Sequence, residues 1–364
     1  MIYRYSRRVS VMLLLSLLVL AVPTAVRAQE RSNLFFLHHS TGHDLIDQGQ
    51  MRTYFSNYNA AHGTQLAFWD HDYNAEGLRN PAGSYVGHSY GIPNDNTDPV
   101  GLHYLWTVPN AARDSIMANH QVIAFKSCYP ASAIGSEAML VQYQTWYLAM
   151  RDFFDLHPEK IFVVMSPPPL HRVATNAADA ARARTFSLWL GSGAYLSGHP
   201  NIICFDLFDQ FAQPADGSTY QNMLRYEYET NHEGTDWHPN LLANQTVGPI
   251  FAQFLATVAE MAPAGTNDAS SHSAGDDISC FPNPVMKHAT LRYQTATPGW
   301  INVTIFDPAG RRQVVLANRY EKVGTNTFSW APASGGTASR AGVYWARLER
   351  DGVVVGRQKI VVLR

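Results

Sequence analysis

The sequence predicts a three-layer α/β domain with a five-stranded parallel sheet, followed by a smaller all-β sandwich. Short apolar runs alternate with helix-like stretches in the first two thirds of the chain, and short strands of period two come after them. Between the two regions lies a segment rich in Pro, Ser, Ala, Gly and Asp, APAGTNDASSHSAGDD. At 364 residues, the chain is also longer than a single hydrophobic core usually supports.

The N-terminus has the features of a cleavable export signal. A basic start precedes an apolar run over residues 9–22, and small residues stand just before Gln29. The alternative is a membrane anchor, but a spanning helix needs roughly 20 apolar residues and this run is shorter. We therefore predict a signal peptide over residues 1–28, no transmembrane anchor in the mature chain, and a protein that is secreted or held at the cell surface.

The rest of the chain is predicted to divide into an α/β domain over residues 29–261, a linker over 262–278 and an all-β domain over 279–364. Charged residues are nearly balanced, with 27 Lys and Arg against 29 Asp and Glu. Proteins that bind nucleic acid usually carry a basic excess, so we expect no nucleic-acid partner.

The cysteines Cys128, Cys204 and Cys280 are too few to form a disulfide framework. One bridge, from Cys128 to Cys204, could form in an oxidising compartment if both residues end strands of the same sheet. The interpretation that we favour is three thiols, each buried or partly buried.

Five apolar runs in the α/β region are predicted to be buried parallel strands, because continuous Val, Ile and Phe residues suit strands covered on both faces. These strands are 33–38, 65–69, 121–125, 160–165 and 201–205. The helix-like stretches that cover them are 43–58, 101–119, 135–156, 174–190 and 239–261. In the all-β region, turn signals separate the period-two strands 289–293, 300–306, 312–317, 326–329, 342–348 and 356–363.

Two loops at the carboxyl ends of these strands carry residues suited to acyl transfer. Ser40 lies on the turn between the first strand and the next helix, which is expected to begin near His43, so the helix N-terminus can stabilise an oxyanion beside its hydroxyl. The alternative is that Ser40 only caps that helix. His238 and Asp236 precede Pro239, the expected first residue of the last helix. Ligands bind at this edge of such sheets, so we predict Ser40 as nucleophile, His238 as base and Asp236 as its orienting carboxylate.

This order of strand, serine, helix, further strand–helix units and a final Asp-x-His-Pro-Asn resembles the SGNH/GDSL hydrolase superfamily over about residues 33–260. The HHSTG sequence around Ser40 is similar to a subgroup of exported bacterial proteins. The resemblance implies a flavodoxin-like three-layer sandwich that hydrolyses esters, such as acetyl groups on carbohydrates. It also implies catalysis by Ser40, His238 and Asp236 without a metal or another cofactor.

The sequence departs from the family pattern in three places. His38-His39-Ser40 replaces Gly-Asp-Ser, and Asp236 precedes His238 by two residues instead of three. The segment KSCYP, residues 126–130, stands where many members carry an Asn that donates to the oxyanion. Losing one such donor costs on the order of 100-fold in rate. The residues that we predict to bind the oxyanion or the substrate are Gly77, Lys126, Ser127, Cys128, His39 and Trp237.

Two of these predictions have plain alternatives. Lys126 could replace the missing donor or bind an anionic substrate, but a lysine at a strand end is as readily a solvated surface residue. Trp237 could stack on a sugar ring, although packing is the commoner role of a tryptophan.

Two other interpretations of the same edge stay open. In one, the protein is a non-catalytic relative that binds a glycan or an anionic ligand. In the other, it is a metal-dependent hydrolase, because His and Asp residues cluster at the first two strand ends, although their spacing matches no known ligand pattern. The residues in question are His38, His39, His43, Asp44, Asp70, His71 and Asp72.

The all-β region resembles the C-terminal Ig-like sorting module of exported bacterial proteins. Four segments carry this resemblance: 281–284 (FPNP), 305–311 (IFDPAGR), 341–345 (AGVYW) and 359–363 (KIVVL). The resemblance implies an Ig-like sandwich over residues 279–364 whose partner is secretion or cell-surface machinery. A carbohydrate-binding sandwich is the alternative.

Overall fold

The computed structural model describes residues 32–196, 198–260, 277–307, 312–332 and 341–363. The predicted signal peptide, and most of the predicted linker, lie outside these residues. Within the described ranges, no helix combines the length and the apolar character needed to cross a membrane.

The α/β region contains a mixed six-stranded sheet in the order β3-β2-β1-β4-β5-β6. Its strands are β1 (Asn33–Leu37), β2 (Ala67–His71), β3 (Leu78–Arg79), β4 (Val122–Lys126), β5 (Ile161–Met165) and β6 (Ile202–Phe205). Neighbouring strands run parallel except β3, which pairs antiparallel with β2. The sheet is therefore mixed, and not purely parallel with five strands as predicted, because β3 adds an antiparallel edge strand. Gly77, at φ +79°, turns the chain back along β2 and creates that strand.

The helices of the α/β region are α1 (Ser40–Asp47), α2 (Met51–His62), α3 (Pro99–Thr107), α4 (Ala111–Asn119), α5 (Glu137–Asp155), α6 (Ala177–Leu190), α7 (Gly193–Leu196), α8 (Leu207–Phe211) and α9 (Leu241–Ala259). Two predicted helices are each divided in two. The first breaks at Gln50, whose left-handed backbone (φ 52°) cannot continue an α-helix. The second breaks before Asn110, whose side chain caps α4 by accepting from the Arg113 N–H.

Successive residues of each buried strand point to opposite faces of the sheet, and each face has its own core. In β4, Val122 and Ala124 join the cluster that packs on α9. Ile123 and Phe125 join the cluster that contains Trp106 and the aromatic residues of α5. Strands covered in this way read as continuous apolar runs, which is why the sequence predicted them.

The C-terminal region folds into two antiparallel sheets in the orders β10-β9-β12-β13 and β11-β8-β7. Their strands are β7 (Asp277–Phe281), β8 (Ala289–Thr295), β9 (Gly299–Phe306), β10 (Arg312–Glu321), β11 (Gly324–Trp330), β12 (Gly342–Arg350) and β13 (Val353–Val362). β7 was not predicted and begins inside the expected linker. It pairs with β8 along its whole length and contributes Ile278 and Cys280 to the core between the sheets.

The C-terminal region packs directly against the α/β region. Val343, Val361 and Leu363 belong to the same buried cluster as α9. Lys359 is 2% exposed, and its ammonium donates to the carbonyl oxygens of Pro200 and Ile202 at 3.0 and 2.9 Å. The two regions therefore share a buried boundary, even though their sequence patterns are separate.

Candidate active site

Ser40 is the first residue of α1 and directly follows the extended residue His39. It lies past the carboxyl end of β1, on the short turn by which the chain leaves the sheet. The first turn of a helix has backbone N–H groups without intrahelical partners, and the helix dipole makes this end positive. His39 occupies the N-cap position, so Ser40 is not the cap of this helix.

Two side chains from residues almost 200 positions later complete a hydrogen-bonded row with Ser40. The His238 Nε2 lies 2.9 Å from the Ser40 Oγ, and the His238 Nδ1 lies 2.7 Å from Asp236 Oδ1. With Nδ1–H donating to the carboxylate, Nε2 is the nitrogen that can accept the serine proton. The structure thus brings together the three residues that the sequence predicted as catalytic.

The short Asp236-Trp237-His238 spacing is compatible with this row because one carboxylate oxygen serves two donors. Asp236 Oδ1 accepts from the backbone N–H of His238 at 3.0 Å as well as from its ring. Partial burial acts to raise the pKa of Asp236, but these hydrogen bonds outweigh it and hold the pKa below its ordinary value. The side chain is 46% exposed, so water also reaches this carboxylate.

Hydrogen bonds to backbone carbonyl groups hold the loop that carries His238 in place. Thr230 Oγ1 donates to the His238 carbonyl at 2.7 Å. Helix α9 begins at Leu241 with Asn240 as its N-cap, so Pro239 lies just outside the helix and not at its first position as predicted. The Asn240 amide also donates to the Glu229 carbonyl at 3.0 Å, which ties the two ends of the loop together.

A network of charged residues fixes α1, and with it Ser40, against the ends of β1 and β2. Asp70 is fully buried and receives hydrogen bonds from His38 Nε2 at 2.9 Å, from Arg79 Nε at 2.7 Å and from Arg52. Arg79 also donates to Asp47, the last residue of α1, at 3.0 Å. A buried charge needs such partners because water is excluded from it.

His43 extends this network on the exposed side of α1. It lies between Asp47 (Nε2–Oδ2 3.1 Å) and Asp72 (Nδ1–Oδ2 2.7 Å), and these two carboxylates raise its pKa to about 10. The imidazole is therefore charged at neutral pH. It joins α1 to the segment that follows β2.

The residues that suggested a metal site are engaged with one another in this way. His71, for example, lies 2.6 Å from the Asp72 carbonyl through Nδ1 and 3.0 Å from Ser89 Oγ through Nε2. In the part of the chain that the structure describes, three or more His, Cys, Asp or Glu side chains do not gather as metal ligands would. The arrangement instead holds the elements that carry Ser40.

Three of the residues predicted to bind the oxyanion or the substrate are placed where they cannot do so directly. The Gly77 N–H donates to the Tyr73 carbonyl at 2.7 Å and so is not available to an oxyanion. Ser127 points toward α5, where its hydroxyl lies 3.0 Å from the Tyr147 hydroxyl. The Lys126 side chain is completely buried, which excludes both the predicted substrate contact and the alternative of a solvated strand end.

Aromatic side chains line the site beside His238. The Tyr129 ring packs edge-on against the His238 ring, with centroids 5.2 Å apart, and lies 6.2 Å from Trp237 in a similar geometry. Trp237 is 38% exposed, and its indole N–H donates to the Gly234 carbonyl at 2.7 Å. Tyr129 and Trp237 thus form an aromatic wall. Part of the Trp237 ring is accessible to a ligand, while its indole N–H is already hydrogen-bonded.

Sequence reasoning did not assign two residues, Tyr129 and Asp44, to the surroundings of the hydrogen-bonded row of Asp236, His238 and Ser40. Tyr129 follows the KSC segment directly, and its position after a strand end was the available signal. Asp44 lies one helical turn after Ser40, and burial raises the pKa of its carboxyl although the nearby His238 opposes this. It was noted only as a metal ligand, whereas the structure places it beside the imidazole, with Gln48 donating to it at 3.0 Å.

His39, Cys128 and Lys126 form a second group close to Ser40 and His238. Thr97 joins them, with its hydroxyl 3.3 Å from His39 Nδ1 and 3.2 Å from the Cys128 sulfur. The Lys126 ammonium lies 3.9 Å from that sulfur. Thr97 belongs to the long segment between β3 and α3, where no sequence motif marked it.

No protein-family model matches this chain, and no curated protein matches it. Among the solved structures that do, the dimeric latent form of PorU from Porphyromonas gingivalis is 24% identical over 26% of this chain and 10% of that chain, with a TM-score of 0.21. The match thus covers a small part of PorU.

Two other solved structures are also only distantly similar. An immunoglobulin-like protein from Pseudomonas aeruginosa is 10% identical over 22% of this chain and 74% of that chain, with a TM-score of 0.18. A gut microbial diltiazem-metabolizing enzyme is 9% identical over 91% of this chain and 70% of that chain, with a TM-score of 0.33. TM-scores this low carry no argument about the activity of this chain.

Proposed function

We propose that the protein is a serine hydrolase that cleaves esters, with Ser40 as nucleophile, His238 as general base and Asp236 as the carboxylate that orients the imidazole. The observation that carries this proposal is the continuous row from Asp236 through His238 to the Ser40 hydroxyl, with atom distances of 2.7 and 2.9 Å. Helix capping does not explain this contact, because His39 and not Ser40 occupies the N-cap position of α1.

The reaction follows from these contacts. His238 Nε2 takes the hydroxyl proton as Ser40 Oγ attacks the ester carbonyl, and Asp236 stabilises the imidazolium that forms. The oxyanion develops beside the first turn of α1, where the Ser40 N–H and the positive helix end stabilise it. His238 then returns the proton to the leaving alcohol. Water releases the acyl group from Ser40 by the same steps in reverse.

The substrate class that we propose is a small acyl ester, with acetylated carbohydrate as the leading example. Support comes from the resemblance to SGNH/GDSL hydrolases and from the open aromatic wall at Tyr129 and Trp237, which can pack on a sugar ring. We further propose that the chain is exported through residues 1–28 and that its C-terminal region engages secretion or cell-surface machinery. The alternative that this region binds carbohydrate is tested by measuring binding of the protein to acetylated xylan.

The direct test is ester hydrolysis by the whole mature chain, beginning at Gln29, with and without Ser40→Ala. Using p-nitrophenyl acetate, butyrate and octanoate beside acetylated xylan, we expect Ser40→Ala to lower kcat by about 10⁴-fold or more. Ser56→Ala, an exposed serine on α2, is the matched control and should keep the wild-type rate. Hydrolysis that survives Ser40→Ala would overturn the proposal. A wild-type chain without any esterase activity would favour the non-catalytic interpretation.

Asp236→Asn is expected to lower kcat by about 10²- to 10⁴-fold, because an amide no longer fixes the imidazole tautomer or stabilises the imidazolium. The half-exposed position of Asp236 favours the lower end of this range, since water takes over part of its role. Steady-state kinetics on p-nitrophenyl acetate measure the effect. Asp114→Asn, at an exposed residue of α4, should have no effect. An unchanged kcat for Asp236→Asn would remove Asp236 from the mechanism.

A further inference from the structure

Cys128 directly precedes Tyr129, whose ring packs on His238, and it occupies an unusual environment for a thiol. The ammonium of Lys126 lies 3.9 Å from its sulfur, on a side chain with no exposed surface. The Thr97 hydroxyl lies 3.2 Å from the sulfur on another side. Among the described contacts, the thiol is the hydrogen-bond partner of the Lys126 ammonium. A buried cation needs a negative partner, and here the sulfur is in the position to be one.

His39 is the second polar group that faces this sulfur, and it is 94% buried. Its Nδ1 contacts Thr97, while its Nε2 lies without a hydrogen-bond partner among the described residues and 3.5 Å from Asp95. Tyr129 is the other titratable neighbour, and partial burial and the charge of Cys128 raise the pKa of its phenol. Lys126, His39, Thr97 and Tyr129 therefore surround the sulfur from three different segments of the chain.

The electrostatics of this group favour the ionised thiol. Burial by itself would raise the pKa of Cys128, but the charge of Lys126, together with the neighbouring His39 and Thr97 side chains, lowers it to about 6. Cys204 and Cys280 lack such neighbours, and burial raises the pKa of both thiols above the ordinary range. Reactive cysteines combine a nearby cation with partial exposure, and Cys128 is the partly exposed one of the three.

We propose that Cys128 is a second nucleophilic centre close to Ser40 and His238, a thiolate paired with the buried Lys126, and a site of covalent modification by peroxides. In the reaction, the thiolate attacks one peroxide oxygen, an S–O bond forms and the O–O bond breaks. The hydroxide ion that leaves takes a proton from the buffer and becomes water. Sulfur is oxidised by two electrons to a sulfenic acid, and the peroxide is reduced to water.

This modification would also affect the neighbouring site, and that part of the inference rests on the proposed hydrolase function. Cys128 directly precedes Tyr129, whose ring packs on His238. An oxygen or a larger group added to the sulfur is therefore attached one residue before this ring. Modification is therefore expected to slow ester hydrolysis, and reduction of the sulfenic acid by dithiothreitol is expected to restore it.

The test of the thiolate is the pH profile of alkylation by iodoacetamide, which forms a thioether with loss of iodide, followed by intact-mass and peptide mass spectrometry of the mature chain. We expect labelling at Cys128 with a midpoint near pH 6 and a plateau above it. Cys204 and Cys280 serve as internal controls and should stay unlabelled in the folded protein. Ser40→Ala should label with the same midpoint, which separates this result from the fate of the hydrolase proposal.

Lys126→Met tests the pairing, because it keeps an unbranched side chain that is one atom shorter and removes the charge. The midpoint of Cys128 labelling is expected to rise by about 1–3 pH units. Thr97→Val is a second, milder variant. A measurement that leaves Lys126 unchanged is the thiolate absorbance at 240 nm: the pH titration of the wild type minus that of Cys128→Ser should give the same midpoint. A wild-type midpoint above pH 8, or one that Lys126→Met does not move, would overturn the proposal.

The peroxide step is tested with hydrogen peroxide in the presence of dimedone, which adds to sulfenic acids. We expect one dimedone adduct, at Cys128, in the wild type and in Ser40→Ala, and none in Cys128→Ser. Failure to trap an adduct while iodoacetamide still labels Cys128 would reject the peroxide as its electrophile. If the adduct forms and p-nitrophenyl acetate hydrolysis is unchanged, the proposed effect on the site is wrong.

Discussion

Replacing His238 by alanine is expected to lower kcat for ester hydrolysis by about 10⁴-fold or more, with little change in the fold. His238 Nε2, the proposed base, lies 2.9 Å from Ser40 Oγ, and no other described hydrogen bond to that oxygen can replace it. In serine hydrolases, loss of the histidine costs about as much as loss of the serine itself, because the two act as a unit. Steady-state kinetics on p-nitrophenyl acetate, with circular dichroism to check folding, measure this effect.

His232→Ala is the matched control for that experiment. His232 lies on the same loop, is 47% exposed and pairs with Glu229 through Nδ1 at 2.7 Å, away from Ser40. We expect this variant to keep most of the wild-type kcat. Comparable losses in the two variants would mean that loop integrity, and not the imidazole of His238, supports the activity.

Replacing Lys359 by methionine is expected to lower the free energy of unfolding by about 2–4 kcal/mol, because buried carbonyl oxygens would lose their donor. The Lys359 ammonium reaches from β13 to the Pro200 and Ile202 carbonyls, on the far side of the boundary between the two regions. Urea unfolding of the mature chain, followed by tryptophan fluorescence, measures the change. We also expect the two regions to unfold together, since they share a buried cluster.

Lys287→Met is the control for this change, because Lys287 is an exposed residue of the same region. Its effect is expected to be small, as is usual for surface substitutions. If Lys359→Met were equally mild, or if the wild type unfolded in two separate transitions, the boundary would be weaker than its contacts indicate. The activity assays above use the whole mature chain because the α/β region relies on this boundary.

Most strands and the general layout were predictable because they depend on local sequence patterns. The runs around Phe35 and Ile123 are apolar without interruption, which is the pattern of strands covered on both faces. β3 and β7 were missed for different reasons. β3 has two residues, and its pairing depends on the turn at Gly77. β7 begins inside a segment whose composition is that of a linker, and it is a strand because β8 pairs with it.

The sequence by itself determined which chemistry was available: a serine on the turn before the first helix, and a histidine and an aspartate before the last helix. It could not determine whether Ser40 and His238 meet, since a distance between residues 198 positions apart depends on how the whole sheet is stacked. Likewise, only the tertiary structure decided that Lys126 is buried beside a thiol and that the Gly77 N–H is already bonded. Burial and hydrogen-bond partners belong to the packed molecule, because each is set by residues that are distant in the chain.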